Sequence, residues 1–168
     1  MDNDELLDLV DSNDRVVGTI MRSKTGNLKN KSFLRAADAF ILNNDGKLWI
    51  PRRQLNKRIA PGGLDYSMGE HVKSDEDYLT ACIRGFEEEL NIKVTEVNLE
   101  FVHKFRPIKN LDYFRSLYIY RSEKVPYYNT ADFSEYFWLT PQELLSKLNG
   151  GEFAKRSLLQ TVEYFVNS

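Results

Sequence analysis

The segment that most constrains this chain runs from Gly69 to Ile92, GEHVKSDEDYLTACIRGFEEELNI, and its second half is patterned as a helix with two chemically different faces. Leu79, Cys82, Ile83, Phe86 and Leu90 follow an i, i+3, i+4, i+7, i+11 spacing, the apolar stripe of a helix laid on a core. Ser74 is the expected N-cap, with Asp77 in the first turn, where the helix dipole favours negative charge. Asn91 tolerates the left-handed backbone that ends a helix. At about 100° per residue, Arg84, Glu88 and Glu89 fall away from the stripe, while Glu87 lies elsewhere. Two adjacent carboxylates one turn after an arginine suit a divalent cation held against phosphate oxygens; the competing reading is a solvated acidic face. The preceding segment weighs against that bland reading. Pro61-Gly62-Gly63, Gly69-Glu70-His71-Val72 and Asp75-Glu76 form an expected loop that leads straight into the helix.

On these residues the chain resembles the Nudix hydrolase family. The family's box is Gly, five residues, Glu, seven residues, Arg-Glu-apolar, one residue, Glu-Glu, one residue, Gly-apolar. With Arg84 on the family arginine, Glu76, Phe86, Glu88, Glu89 and Ile92 take matching positions. Three positions depart: Glu70 replaces the first glycine, Gly85 the glutamate after the arginine, and Asn91 the last glycine. Asn91 is a mild change, since Asn adopts the same backbone. Gly85 removes a glutamate that in the family helps hold the metal or serves as base.

The resemblance implies an α/β fold, a Nudix-type α/β/α sandwich with a mixed β-sheet, and Mg²⁺ (or Mn²⁺) as cofactor. It implies cleavage of a diphosphate linkage in a nucleoside diphosphate derivative or a similar small molecule. Glu88 and Glu89 are the implied metal ligands, with catalytic roles for Glu88, Glu89, Arg84 and Glu76; Arg84 and Glu76 would steady the carboxylates. Glu70 stands in the same box that lost its acid at position 85, so we expect it to turn into that gap and act as a metal ligand. His71 reads as a structural loop histidine, with metal ligation as the alternative.

Composition serves mainly to exclude. The 168 residues are expected to form one domain, 1–168, with residues 1–32 as an N-terminal hairpin and loop extension. A net charge of −2 with 29% charged residues gives no global pull toward nucleic acid or anionic membranes. Cys82 is the only cysteine, which points to a reducing compartment, and its place in the apolar stripe makes it a core residue rather than a nucleophile. The start Met-Asp-Asn-Asp-Glu lacks a basic leader, and no apolar run is long enough to span a bilayer, so a cytoplasmic location is expected.

In chain order, residues 5–22 read as a hairpin turning at Asp11–Asp14, and Lys24 to Ser32 as a mobile loop. Asp8-Leu9-Val10-Asp11 is similar to the start of the Nudix branch that includes isopentenyl-diphosphate isomerases. Ala37–Leu42 and Lys47–Arg53 form the next hairpin across Asn43-Asn44-Asp45-Gly46. Arg52 and Arg53 end that strand as candidate phosphate contacts, because guanidinium makes paired hydrogen bonds to phosphate; the alternative is a solvated basic loop. Val97–Phe105 and Tyr113–Tyr120 are strands whose aromatics read as core rather than as a stacking surface for nucleic acid. After an irregular loop over 127–132, Glu135–Leu139 is a last strand, Thr140-Pro141 opens a helix, and residues 153–166 form a final amphipathic helix. Asp132 and Glu135 are the candidate acids that the resemblance places near the metal, as ligand or general base.

Three functions follow from these residues: a metal-dependent diphosphate hydrolase, a weakened module that binds a nucleotide or protein, and an isopentenyl-diphosphate isomerase. The isomerase needs a cysteine in the loop before the box, where this chain has Gly69.

Overall fold

The computed structural model describes residues 4–28 and 31–168. At its centre lies β3 (Leu34–Leu42), whose alternating side chains feed two cores. Ala37, Ala39 and Ile41 enter one cluster and Phe40 and Leu42 the other, as the two-residue period of a strand requires. Around β3 the sheet runs β6 (Leu99–Phe105), β7 (Tyr113–Arg121), β3, β4 (Leu48–Arg53), β8 (Phe133–Leu139), with β5 (Met68–His71) also paired to β3. The β3–β7 pair is parallel, in register from Leu34↔Tyr113 to Leu42↔Arg121, and the other pairs are antiparallel, so the sheet is mixed. A separate hairpin, β1 (Leu6–Val10) and β2 (Val16–Met21), is anchored to the main body through Val10↔Phe33 and Leu7↔Lys73 bridges.

The expected 37–53 hairpin closes only at Leu42↔Leu48. Beyond that point β3 and β4 part, and β5 takes β3's edge from Ala36 to Ala39. The Ser67 hydroxyl spans the opening: Ile41 N–H donates to its Oγ at 2.8 Å, and the hydroxyl donates to the Trp49 carbonyl at 2.6 Å. Residues 69–71 are therefore strand rather than loop, because the parted strands leave backbone groups that must be paired.

One face of the sheet is covered by α1 (Tyr78–Leu90), which lays Ala81, Cys82, Phe86 and Leu90 on Ala39, Ile41 and Met68. Its N-cap is Asp77, which accepts from Thr80 N–H at 2.7 Å, in place of the expected Ser74; Asn91 ends it at φ +54°. On the other face α2 (Pro141–Asn149) and α3 (Leu158–Asn167) place Leu144, Leu148, Leu158 and Val162 against Phe40, Ile50, Leu117 and Ile119. The result is an α/β/α sandwich. Thr140 and Glu143 form a reciprocal cap at the start of α2.

Three expected boundaries move. Residues 22–27 form a 3-10 turn instead of a mobile loop, while 29 and 30 lie outside the described residues. Val97 sits in a capped 3-10 turn, so β6 begins at Leu99. The final helix begins at Leu158, not 153, because residues 153–155 pair with Leu64. Leu64 N–H donates to the Phe153 carbonyl, and Lys155 N–H donates to the Leu64 carbonyl, both at 2.9 Å.

Candidate active site

Gly85 decides how closely α1 meets the sheet. A Cβ at this position would stand 2.4 Å from Met68 Sδ and 3.1 Å from Glu70 Cβ, so only glycine allows the helix to close on β5. Met68 Sδ takes most of the space left at position 85, and Glu70 flanks it through its Cβ.

Arg84, the residue before Gly85 on α1, is the hub of an ion-pair ladder. Its guanidinium donates to both Glu76 carboxylate oxygens at 2.8 and 3.0 Å, to the His71 carbonyl at 2.8 Å and to Glu88 at 3.2 Å. Glu70 Oε2 lies 3.5 Å from the same guanidinium. Burial works against Arg84's charge, but its hydrogen bonds to Glu76 and the charges of Glu70, Glu76 and Glu88 hold it more basic than usual. Burial likewise opposes the Glu76 carboxylate, yet Arg84 and the Lys73 N–H hold it below its usual range. The ladder ties the β5–α1 connection to the helix.

A cavity of about 640 Å³ opens on the other side, lined by β5, by Glu89 and by residues 153–157. Burial pushes the Glu89 carboxyl well above its usual range, and the nearby Glu70 charge pushes it further, against Lys155 and the Gly69 N–H. Glu70 is raised by burial and by Glu5 and Glu88, with Arg84 opposing. Lys155 loses by burial but is held charged by Asp65, Asp38 and Glu89; its Nζ is 3.6 Å from Asp65 Oδ1. The floor is a buried network in which Arg115 donates to Asp38 at 3.2 Å, Tyr66 Oη at 2.7 Å and Thr161 Oγ1 at 2.9 Å.

His71 lines the cavity with its Nε2 3.2 Å from Tyr113 Oη. Burial, aided by the charges of Arg22 and Lys155, lowers it to about 4, so the ring is neutral near pH 7. Glu5, Glu70 and His71 each present one donor atom within 4.8 Å of the others. Burial pushes the Cys82 thiol up, and its side chain is enclosed in the core.

The expected site residues divide. Glu89, Glu70 and Arg53 line the cavity. Glu88 is not among its lining residues; 53% of its side chain is exposed, and it is paired with Arg84. Arg52 turns away too, bonded to Glu135 at 2.6 Å and Glu152 at 2.7 Å, because neighbouring strand residues face opposite sides. Arg53 donates to Asp65 at 2.7 Å and to the Ile59 carbonyl at 2.7 Å. Of the two loop acids, Asp132 lines the cavity in an ion pair with Lys57, whereas Glu135 stays with Arg52 outside it. Sequence reasoning missed Lys155, Asp65 and Asp38. Asp38 and Asp65 are lone charges in apolar or turn-like stretches, and Lys155 sits with Arg156 in a short basic pair; no spacing marks any of them.

Comparison with known proteins supplies the remaining findings. The NUDIX domain family profile matches residues 32–162. An uncharacterised Nudix hydrolase of Nostoc sp. is 44% identical over 162 residues, 96% of this chain and 95% of its own length. A crystal structure from Deinococcus radiodurans superposes with a TM-score of 0.86 at 38% identity, covering 95% of this chain and 98% of that one. An isopentenyl-diphosphate Delta-isomerase of Photorhabdus laumondii is 28% identical over 150 residues, 86% of this chain and 84% of its own.

Proposed function

The chain belongs to the Nudix family, and from that premise we propose that it is a metal-dependent hydrolase of the diphosphate linkage in a nucleoside diphosphate derivative or a similar small molecule. The observation that carries this reading is the placement of Glu70 and Glu89 on one cavity wall, where burial disfavours both charges and Glu70 adds to the strain on Glu89. A divalent cation between such carboxylates relieves both penalties. The donor set fits Mg²⁺ or Mn²⁺, which prefer oxygen ligands and take few of them from the protein. Glu70 and Glu89 would hold the ion, and Glu88 is the third donor once it leaves Arg84. When bound, the ion supplies neutralisation of phosphoryl oxygens and acidifies the attacking water.

The chain's own residues do the rest. Arg84 and Glu76 are positioning residues that fix β5 against α1 and so fix Glu70. Lys155 and Arg53 bind phosphoryl oxygens from the cavity wall. The proton of the attacking water passes to Glu89 or to Asp132; among the other carboxylates on the wall, Asp38 is paired with Arg115, Asp65 with Arg53, and Glu70 lies beside Arg84. The isomerase alternative lacks its cysteine, since Cys82 is shut in the core.

The test is a panel of dinucleotide polyphosphates, nucleotide sugars and nucleoside triphosphates with Mg²⁺ or Mn²⁺, assayed for released mononucleotide or phosphate. Turnover that Glu89→Gln abolishes supports the reading, and comparison with Asp132→Asn identifies the base. Silence across the panel, with nucleotide and metal still raising the melting temperature, makes the chain a binding module instead.

A further inference from the structure

Residues 1–31 lie outside the span matched by the domain family, yet Arg22, at the end of the β1–β2 hairpin within them, reaches the cavity. We infer that Arg22, delivered by this hairpin and held by Glu5, binds the group at the far end of the substrate, and that this group is a phosphate rather than a neutral sugar. The inference rests on the hydrolase reading above.

Arg22 follows directly on β2, and its N–H donates to the Glu5 carbonyl at 2.8 Å, which closes the hairpin. Its guanidinium reaches Glu5 Oε2 at 3.0 Å, while the other Glu5 oxygen is 3.2 Å from Lys73 Nζ. Glu5 is thus clamped between two bases, and its side chain is only 18% exposed. This fixed anchor sets the Arg22 head on the cavity beside Glu70 and His71. Half of the Arg22 side chain remains exposed, and Glu5 is its only side-chain acceptor among the described residues. A guanidinium has five donors, so most of its hydrogen-bonding capacity remains available to a ligand.

The cavity is chemically lopsided across the sheet. On the side of β4 and β8 its wall carries Ile59, Phe133 and Phe153, with Ile59 and Phe153 more than half exposed, and the charges there are already matched in the Arg53–Asp65 and Lys57–Asp132 pairs. On the side of β5 and β7 it carries Arg22, Arg156, His71 and Tyr113. Arg156 donates to the Asn110 carbonyl at 2.7 Å and has no carboxylate partner among the described residues. An end with exposed aromatic and aliphatic surface, whose charges are paired among themselves, suits a nucleoside. The opposite end offers two guanidinium groups and a phenol, a donor-rich set that matches the several oxygens and the charge of a phosphate. A neutral sugar would leave Arg156 without a counter-charge and most of the Arg22 donors without an anionic acceptor. The carboxylates and Lys155 lie between the two ends, where the bridge to be cut would sit.

The experiment compares wild type with Arg22→Gln and Arg22→Lys on the four nucleoside triphosphates and on UDP-glucose, with Arg15→Gln on the same hairpin as control. Melting temperatures are recorded for each. For the triphosphates, Arg22→Gln should raise KM about tenfold with kcat nearly unchanged, the size expected for one charge-assisted contact. Arg22→Lys should recover part of that loss, and Arg15→Gln should match wild type. Inorganic pyrophosphate with Mg²⁺ should inhibit Arg22→Gln about tenfold less well than wild type. Glu5→Gln, which loosens the anchor without removing the charge, should fall between and serves if Arg22→Gln does not fold. The inference is overturned if Arg22→Gln leaves KM for triphosphates unchanged, if it harms UDP-glucose turnover equally, or if wild type prefers UDP-glucose. A wild type inert on all five compounds overturns this inference, and the hydrolase reading falls with it only if the dinucleotide polyphosphates of the wider panel are left uncut as well.

Discussion

Glu88 and Glu89 are neighbours in sequence and occupy different chemical worlds. Glu88 points to water and shares Arg84 with Glu76. Glu89 points into a cavity where burial and another carboxylate both disfavour its charge. The same division runs through the whole motif: the Arg84 ladder satisfies its charges internally and holds backbone, whereas the cavity wall, where Glu70 reaches Arg84 only at 3.5 Å, leaves the Glu89 charge unsatisfied and open to a ligand. A residue whose electrostatics are already settled is a fastener, and one whose electrostatics are unfavourable until something binds is a site.

The comparison is most exposed to Glu89→Gln. If the cavity wall is the site, this change should lower kcat/KM by on the order of 10²–10⁴ and abolish the rise in melting temperature on adding Mg²⁺. It has a signature in the metal-free protein too. A carboxyl raised above 4.5 in the folded state contributes stability while protonated, and that contribution is lost as pH rises through the raised value. The metal-free variant should therefore be more stable than wild type at pH 8, with the two converging toward pH 4.5 in urea unfolding. A variant less stable than wild type at pH 8 would mean that Glu89 is a fastener after all.

Arg84→Ala attacks the other side. It leaves Glu76 and the His71 carbonyl without their shared donor, a loss of about 3 kcal/mol for a mostly buried pair cut on one side. Activity should fall through displaced Glu70, and Arg84→Lys should rescue little, because an ammonium cannot fork across both oxygens of Glu76. Full stability with lost activity would place Arg84 at the substrate instead.

How far all this could be foreseen depends on which physical rule wrote each residue. The α1 stripe, the Asn91 stop and the Thr140-Pro141 start were legible because periodicity and capping are local. Gly85 was legible only as a gap. That it is filled by Met68 and flanked by Glu70 depends on β5 entering between β3 and β4, which no local pattern announces. The 153–166 segment misled for the opposite reason. Its composition permits a helix throughout, but a bridge from Leu64 to Ala154 outweighs propensity and leaves Lys155 extended at the cavity. Arg52 and Arg53 looked equivalent in sequence and are separated by the pleat, at a point where the β4–β8 register also shifts from Arg52↔Glu135 to Arg53↔Phe133.

The cavity's dryness can be measured through His71. Burial there lowers its pKa from 6.5 to about 4, so the unfolded chain takes a proton that the folded chain refuses. Stability should accordingly fall as pH drops from 6.5 toward 4, at up to about 1.4 kcal/mol per pH unit. His71→Asn should flatten this limb of the stability profile. An unchanged limb would show that the wall is wetter than the Glu70–Glu89 argument requires.

The smallest effect is expected at Glu88, and it sharpens the comparison most. Glu88→Gln removes an exposed partner of Arg84, so stability should change by no more than about 0.5 kcal/mol. As a third donor recruited from the ladder, it should lower the apparent Mg²⁺ affinity about tenfold without abolishing turnover, the scale expected for a supporting ligand. A loss as large as that of Glu89→Gln would mean that the ion draws Glu88 wholly into the cavity, and that the division between fastener and site shifts on metal binding. No loss at all would confine the cation to Glu70 and Glu89, leaving a two-carboxylate site built from one acid of the helix and one of the strand beside Gly85.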